Sequence, residues 1–395
     1  MTFEPKFSQA VERMAQAGDD AWQVHLDAQA RLAQGDDIIL MSVGDHDLPT
    51  IETIIEHAVT RLYRGRTHYS PGMGEPELRQ VIADIETQAS GKATTQDQVI
   101  IFPGATNAIY SVLSCLLNEG DELILAEPSY VGYDGIMNAI GASVRRIAGD
   151  PALGFAVDTD ELIAAITPRT RVMLLNTPGN PSGHIMPGKQ LQRLAAHCLE
   201  AGVWLVCDEV YSMITFEERH VSARKAAQHL DNVVVIDGLS KSHAMTGWRL
   251  GWAVAPNSLI PPLLKFTSAT VFGCSQFIQD AAAFALQNDA EYIASIVSAY
   301  RQRRDFACAR ITAIDGLRCS APQAGMFLMI EVSAVAADGE TFARALLAEE
   351  GVSVLPGAGF GAVAASFVRL SLTHPEEVLA EAFDRIERFI ASGRS

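Results

Sequence analysis

No apolar run in this chain approaches the roughly 20 residues that a membrane-spanning helix requires, so a membrane protein is not expected. The opening residues, Met1-Thr-Phe-Glu-Pro-Lys, lack a basic segment followed by an apolar one, and no secretory signal is read there. Basic residues are scarce: 30 Lys and Arg against 47 Asp and Glu leave a formal net charge of −17. Nucleic acid and anionic membrane both need a basic face, so neither is expected as a partner. The six cysteines, Cys115, Cys198, Cys207, Cys274, Cys308 and Cys319, contain no CxxC pair and mostly sit in apolar surroundings, as reduced thiols do. A reducing, cytoplasmic setting follows. There is no internal repeat, no low-complexity tract, no metal-spaced His/Cys cluster, and neither a P-loop nor a dinucleotide fingerprint.

What is present is a chain of 395 residues, 48% hydrophobic, long enough for a large core divided into two or three parts. Residues 7 to 34 read as a helical arm in which Trp22, Val24 and Leu26 pack. Ile38 to Val43 reads as a short strand, followed by the turn Gly44-Asp45-His46-Asp47-Leu48-Pro49-Thr50. Gln98 to Phe102, Glu122 to Ala126, Arg171 to Asn176, Val203 to Asp208 and Asn232 to Ile236 are short apolar runs, several rich in β-branched residues. A helix is expected at Gly188 to Glu200. This strand and helix rhythm, from about 98 to 255, predicts a parallel sheet covered on both faces. A long connecting helix is expected around 285 to 310. Strands near 326–331, 352–355 and 366–372 and a helix from Pro375 to Ile390 close a smaller α+β part.

Certain polar residues stand at the ends of these apolar runs. Lys241 follows the strand Asn232 to Ile236, and burial there would lower its pKa and make the amine a nucleophile. Arg249 stands eight residues on, with Ser240, Ser242 and Thr246 nearby, a set suited to an aldehyde bearing a phosphate. Pro103-Gly104-Ala105-Thr106-Asn107 turns a strand into a helix whose N-terminus could receive a phosphate. Asp208 ends an apolar strand, where a carboxylate is costly without a cation or a capping role. Arg369 interrupts the apolar strand Ser366 to Leu372, and a buried guanidinium needs an anion, a carboxylate suiting its planar fork.

These segments, taken in order, resemble the aspartate-aminotransferase-like (class I/II, fold type I) pyridoxal-phosphate enzymes. Ser240-Lys-x-x-x-Met-Thr-Gly-Trp-Arg-Leu-Gly251 is similar to the family's lysine segment, Asn176-Thr-Pro-Gly-Asn180-Pro-Ser-Gly183 to its Asn-x-Pro-x-Asn-Pro-x-Gly, and Asp208-Glu-Val-Tyr211 to its Asp-Glu-x-Tyr. Tyr69 to Arg79 matches its Tyr-x-x-x-x-Gly-x-x-x-Leu-Arg loop, and Val368-Arg369-Leu-Ser371 its carboxylate arginine.

The resemblance implies an α/β fold of type I: a large domain with a mostly parallel seven-stranded sheet at 48–285, a smaller α+β domain at 286–395, and an N-terminal arm with part of the small domain at 1–47. It implies that Lys241 forms the Schiff base with pyridoxal 5'-phosphate. Gly104, Ala105, Thr106, Ser240 and Arg249 would hold the phosphate, Tyr130 would lie over the ring, and Asn180 would reach the phenolic oxygen. Asp208 would face the pyridinium, Tyr211 would be catalytic and cofactor-binding, and Tyr69 would complete the phosphate site of a neighbouring subunit in a homodimer. Gly44, Asn180 and Arg369 would receive the substrate carboxylate. No metal is expected.

Two departures stand out. Gly238 replaces a serine three residues before the lysine, and His46 replaces the proline of Gly-x-Pro-Asp and is expected to be a solvated loop histidine. Glu209 is assigned to structure. The activity implied is transfer of an amino group from an L-amino acid to a 2-oxo acid such as pyruvate or 2-oxoglutarate. A carbon–sulfur or other lyase on the same machinery is the alternative. A non-catalytic regulator is disfavoured because no DNA-binding segment is seen. Trp22-Gln-Val-His25, Ser42-Val-Gly-Asp45, Ile166-Thr-Pro-Arg-Thr170, Ser242-His-Ala-Met-Thr-Gly247 and Gln276-Phe-Ile-Gln-Asp280 look like the bacterial arginine–pyruvate transaminases, which implies a basic or long polar donor.

Overall fold

The computed structural model describes residues 6–15, 20–288 and 290–393. Among them, thirteen strands follow in chain order: β1 Ile39–Leu40, β2 Val99–Phe102, β3 Glu122–Glu127, β4 Ser143–Ala148, β5 Thr170–Asn176, β6 Trp204–Asp208, β7 Val233–Gly238, β8 Gly251–Val254, β9 Arg318–Cys319, β10 Phe327–Glu331, β11 Val352–Ser353, β12 Leu355–Pro356 and β13 Phe367–Ser371. Seven of them form one sheet in the order β2-β8-β7-β6-β5-β3-β4. Only β8 runs against its neighbours β2 and β7; the other pairings are parallel. A four-stranded antiparallel sheet, β12-β13-β10-β9, and the parallel pair β1-β11 make up the rest.

The large sheet is apolar on both faces because successive side chains alternate. Val172 and Leu174 of β5 join Leu123, Val206 and Val234 beneath the helices Ala105–Leu116 and Gly132–Ile140. Met173 and Leu175 join Ile124, Leu205 and Val235 against the helix Gly188–Glu200. A third cluster covers Val99, Ile101, Trp252 and Val254 with the helices Pro76–Ser90 and Gln276–Asn288. The antiparallel sheet and the helix Ala290–Ala313 share a separate core built on Tyr300, Leu328, Val368 and Phe383. No helix among the described residues is long and apolar enough to cross a membrane.

The C-terminal ends of the parallel strands lie along one edge of the sheet. Asn176, Asp208 and Gly238 end the adjacent strands β5, β6 and β7, with Phe102 ending β2 across β8, and polar groups placed there lie outside the sheet's hydrophobic layers. The expected strand at 38–43 is shorter, since only Ile39–Leu40 pair with β11. From Ser42 onward the chain leaves the ladder and crosses toward the sheet edge. Leu26, expected to pack, is exposed, while Val24 and His25 are the buried residues beside it. Strand β4 was not expected. Its side chains Arg145 and Arg146 are exposed at the sheet margin, so it lacks the apolar run that marks a central strand.

Candidate active site

Lys241 lies in the four-residue helix Leu239–Ser242 immediately after β7. The strand can end this tightly because residue 238 is glycine: a Cβ there would come within 2.9 Å of the Leu250 carbonyl oxygen and 3.1 Å of the Gly251 Cα. This gives a steric reason for the departure from serine. Ser240 lines the same cavity as the lysine. The Lys241 amine donates to the Gly44 carbonyl at 2.7 Å. Burial brings its pKa down to about 8, with Arg369 and Arg249 acting in the same direction and Asp45 and Asp208 against it. The free base is therefore far more populated near neutral pH than for an ordinary lysine, at roughly a tenth of the amine.

One pole of the cavity is a cradle for an anion. Gly104 (φ +91°) precedes the helix Ala105–Leu116, and the cavity is lined by Ala105 and Thr106 of its first turn. Arg249 adopts a left-handed conformation (φ 52°) and donates to the Thr246 carbonyl at 2.7 Å. A Cβ on Gly104 would lie 2.6 Å from Arg249 Nη2, and one on Gly251 would lie 2.5 Å from the Ala105 nitrogen. Both glycines are thus required for the guanidinium and the helix N-terminus to converge.

The opposite pole is Asp208, buried at the end of β6. Burial raises its carboxyl to about 6, while hydrogen bonds from Tyr133 and the Val210 N–H oppose that rise. Tyr133 Oη donates to Asp208 Oδ2 at 2.6 Å. The sequence reading missed this role, although the spacing Tyr130-Val-Gly-Tyr133 put Tyr133 in the first turn of the helix Gly132–Ile140. Tyr130 stands edge-on to Tyr133 with centroids 5.5 Å apart, and a Cβ on Gly132 would lie 2.6 Å from the Tyr130 ring. Asn176 bridges the strand ends, donating to the Asp208 carbonyl at 3.0 Å and accepting from the Asn180 N–H at 2.7 Å. Tyr211 is buried with its hydroxyl pKa pushed up by burial, and it also lines the cavity. Glu209 points elsewhere, accepting from the Ala223 N–H at 2.8 Å and lying 3.2 Å from His220.

Arg369, on β13, enters from the antiparallel sheet and is 2% exposed. It donates to Asn180 Oδ1 at 3.0 Å and to the Ser42 carbonyl at 2.6 Å, and its guanidinium carbon lies 3.9 Å from the centroid of the Phe327 ring. Its Nε has no partner. Burial lowers its pKa to about 10, which leaves it cationic at neutral pH. Gly44 closes against the same phenyl ring, where a Cβ would sit 2.3 Å from Phe327 Cζ. His46 is not the solvated loop histidine expected: it is half-buried, with Nε2 2.6 Å from the Lys241 carbonyl and Nδ1 2.9 Å from Tyr300 Oη. The crossing of the Gly44–Thr50 turn beneath the helix Ala290–Ala313 removes it from water.

A cavity of about 350 Å³ connects these groups, lined among others by Gly44, Ala105, Thr106, Tyr130, Asn180, Asp208, Tyr211, Ser240, Lys241, Arg249 and Arg369. Gly104 sits directly behind Arg249. Tyr69 does not line it. Its ring is 83% exposed and packs edge-on against Phe272. No group of His, Cys, Asp and Glu suited to a metal ion occurs among the described residues. The donor set fits pyridoxal phosphate on three observations: a buried carboxylate with no ion pair among the described residues, a glycine-built anion cradle with an arginine across it, and an amine between them whose pKa burial lowers to about 8.

Residues 36–386 match the family model for aminotransferase class I and II. The chain is 42% identical over 381 residues to an arginine–pyruvate transaminase of Pseudomonas aeruginosa, covering 96% of this chain and 97% of that one. It is 32% identical over 360 residues to an aspartate/prephenate aminotransferase of Thermus thermophilus, covering 90% and 92%. Among solved structures, an aspartate aminotransferase from Thermus thermophilus with maleate superposes with a TM-score of 0.92 at 31% identity, over 98% of this chain and all of the other.

Proposed function

Because this chain belongs to the class I and II aminotransferases, a fold type I family, we propose how its own residues perform amino transfer and on which donor. The chain is a transaminase of amino acids. Lys241, Asp208, Asn180, Tyr130 and Tyr211 would hold pyridoxal 5'-phosphate, with Gly104, Ala105, Thr106, Ser240 and Arg249 at its phosphate. When bound, the cofactor supplies an electron sink that stabilises negative charge developing at the substrate Cα. Asp208 would supply the negative charge that keeps the cofactor's ring cationic. Arg369 binds the substrate carboxylate through the Nε edge that has no partner, and Asn180 and Ser42 hold the guanidinium plane. The Lys241 Nζ would take the proton from the substrate Cα and hold it as an ammonium until it is handed on, a task suited to an amine with a pKa of about 8.

The observation that carries this reading is the amine set between the buried carboxylate and the arginine cradle in one cavity. Replacing Lys241 with Ala should abolish borohydride-fixed attachment of pyridoxal phosphate to the protein. An adduct that survives in the variant would refute the assignment.

The donor is inferred to be a basic or long polar L-amino acid such as arginine, with pyruvate or 2-oxoglutarate as acceptor. The relationship to the Pseudomonas enzyme supports this, as does Asp45. Its carboxylate lines the cavity and accepts a hydroxyl hydrogen bond from Thr246 at 2.6 Å. Single-turnover rates with arginine, alanine, aspartate, phenylalanine and methionine test it, and arginine reacting no faster than alanine would eliminate it. The exposed Tyr69 supports a homodimer in which that residue serves the partner's phosphate site. The free cysteines, two of them buried, support a cytoplasmic setting. The division into an arm and part of the small domain at 1–47, a large domain at 48–285 and a small domain at 286–395 belongs to the same proposal. Residue 285 would end the cofactor-binding part and the small domain would carry Arg369 to the site.

A further inference from the structure

His46 bonds to the one residue on which the proposed chemistry depends, yet the reaction as derived makes no use of it. The Lys241 carbonyl can only accept a hydrogen bond, so at 2.6 Å the His46 Nε2 carries the hydrogen. Nδ1 is then the bare nitrogen, and the hydroxyl of Tyr300 donates to it at 2.9 Å. Burial, followed by the charge of Lys241, brings the imidazole pKa down to about 4, with Asp45 and Asp47 opposing, so the neutral ring persists at physiological pH. The result is an oriented chain, from the Tyr300 hydroxyl through the imidazole to the Lys241 main chain, with one allowed tautomer.

The helix Ala290–Ala313 holds this turn at three places. Tyr292 Oη donates to the Pro49 carbonyl at 2.9 Å, Tyr300 bonds to His46, and Arg303 donates to both oxygens of Asp47 at 2.9 and 2.7 Å. Positions 292, 300 and 303 fall within one helical face. The turn is also tied to the lysine segment: Gly44 accepts from Lys241 Nζ at 2.7 Å, Asp45 from Thr246 at 2.6 Å, and Thr50 donates to the Ala244 carbonyl at 2.7 Å. A proline in place of His46 could stiffen the turn but could donate nothing to residue 241.

We propose that His46 is a positioning residue: by donating to the Lys241 carbonyl while accepting from Tyr300, it sets the lysine against Gly44 and makes its position answer to the long helix. This rests on the reading of Lys241 as the cofactor-bearing amine, and the controls separate the two. Gln at 46 can place an amide N–H where Nε2 stands, whereas Asn reaches only as far as Nδ1.

The test is a pH titration of the visible absorbance of the pyridoxal-phosphate-loaded protein, with thermal midpoints and steady-state kcat and KM, for wild type, H46Q, H46N, H46A and Tyr300→Phe. H46A and H46N should raise the absorbance midpoint by about half a pH unit or more, as water reaches the cofactor-bound Lys241 nitrogen. They should also lower kcat about tenfold with KM within about threefold, as expected for misplacement of a reacting group. H46Q should stay near wild type, and Tyr300→Phe should fall between. Equal shifts in H46Q and H46A, no shift in any variant, or kcat losses that follow thermal midpoints alone would overturn the proposal. A Lys241→Ala protein that still fixes cofactor with borohydride would instead overturn the underlying lysine assignment, whatever the histidine variants do.

Discussion

Tyr133→Phe removes a single hydroxyl, the one that donates to Asp208 at 2.6 Å, and leaves the buried ring in place. A hydrogen bond to a charged group contributes about 1.5–3 kcal/mol against about 0.5–1.5 for a neutral one, so the hydroxyl favours the carboxylate over the carboxylic acid by roughly 1–1.5 kcal/mol. At about 1.4 kcal/mol per unit, its loss should raise the Asp208 pKa by about one unit, from the present value of about 6. The sign of the stability effect follows. Asp208 already titrates above an unfolded carboxyl, so the folded protein binds that proton more tightly, and stability falls as pH rises from about 4 through the folded pKa. The variant extends that fall to higher pH. Urea unfolding of the cofactor-free protein at pH 5 and pH 8 should therefore show a penalty for Tyr133→Phe that is about 1 kcal/mol larger at pH 8. With cofactor bound the difference should shrink, because a cation then faces the carboxylate. An identical penalty at both pH values would refute the assignment of the hydroxyl to the charged form of Asp208.

Arg369→Lys keeps a positive charge but loses the planar fork that bonds Asn180 and Ser42 and presents Nε, so KM for amino acids should rise roughly 10–100-fold with a smaller fall in kcat. Equal kcat/KM in the two proteins would exclude a carboxylate-binding role. Tyr69→Phe should leave the thermal midpoint unchanged, since the ring is already mostly exposed, while weakening cofactor retention on gel filtration. A fully active monomer in sedimentation would remove the reason for that effect.

Much of the site was legible because its residues sit where elements change. Asp208 and Lys241 follow apolar strands, Gly104 to Thr106 opens a helix, and Arg369 breaks an apolar run, so each is visible as a polar residue at a place where burial is expected. The lengths of the central strands and of the helix Gly188–Glu200 were readable for the same reason: alternation and helical spacing are local. The exposed edge strand β4 had no such signature. The role of Tyr133 was hidden because a tyrosine in a helix's first turn looks the same whether it packs or donates, and its partner is 75 residues away.

Composition and local pattern alone determined that this is an α/β protein built on a parallel sheet, with an amine, a carboxylate, an arginine and a glycine-rich turn at its strand ends. Only tertiary structure decided which of these groups meet. The approach of β13 brought Arg369 onto Asn180 and Ser42, and it did so through a sheet far along the chain. The passage of the long helix over residues 44–50 turned His46 from a loop residue into a half-buried hydrogen-bond donor to Lys241. Desolvation then shifted the titrations of Lys241, Asp208 and Arg369 together. Burial and mutual distance are properties of the packed molecule, so no local reading of the chain contains them.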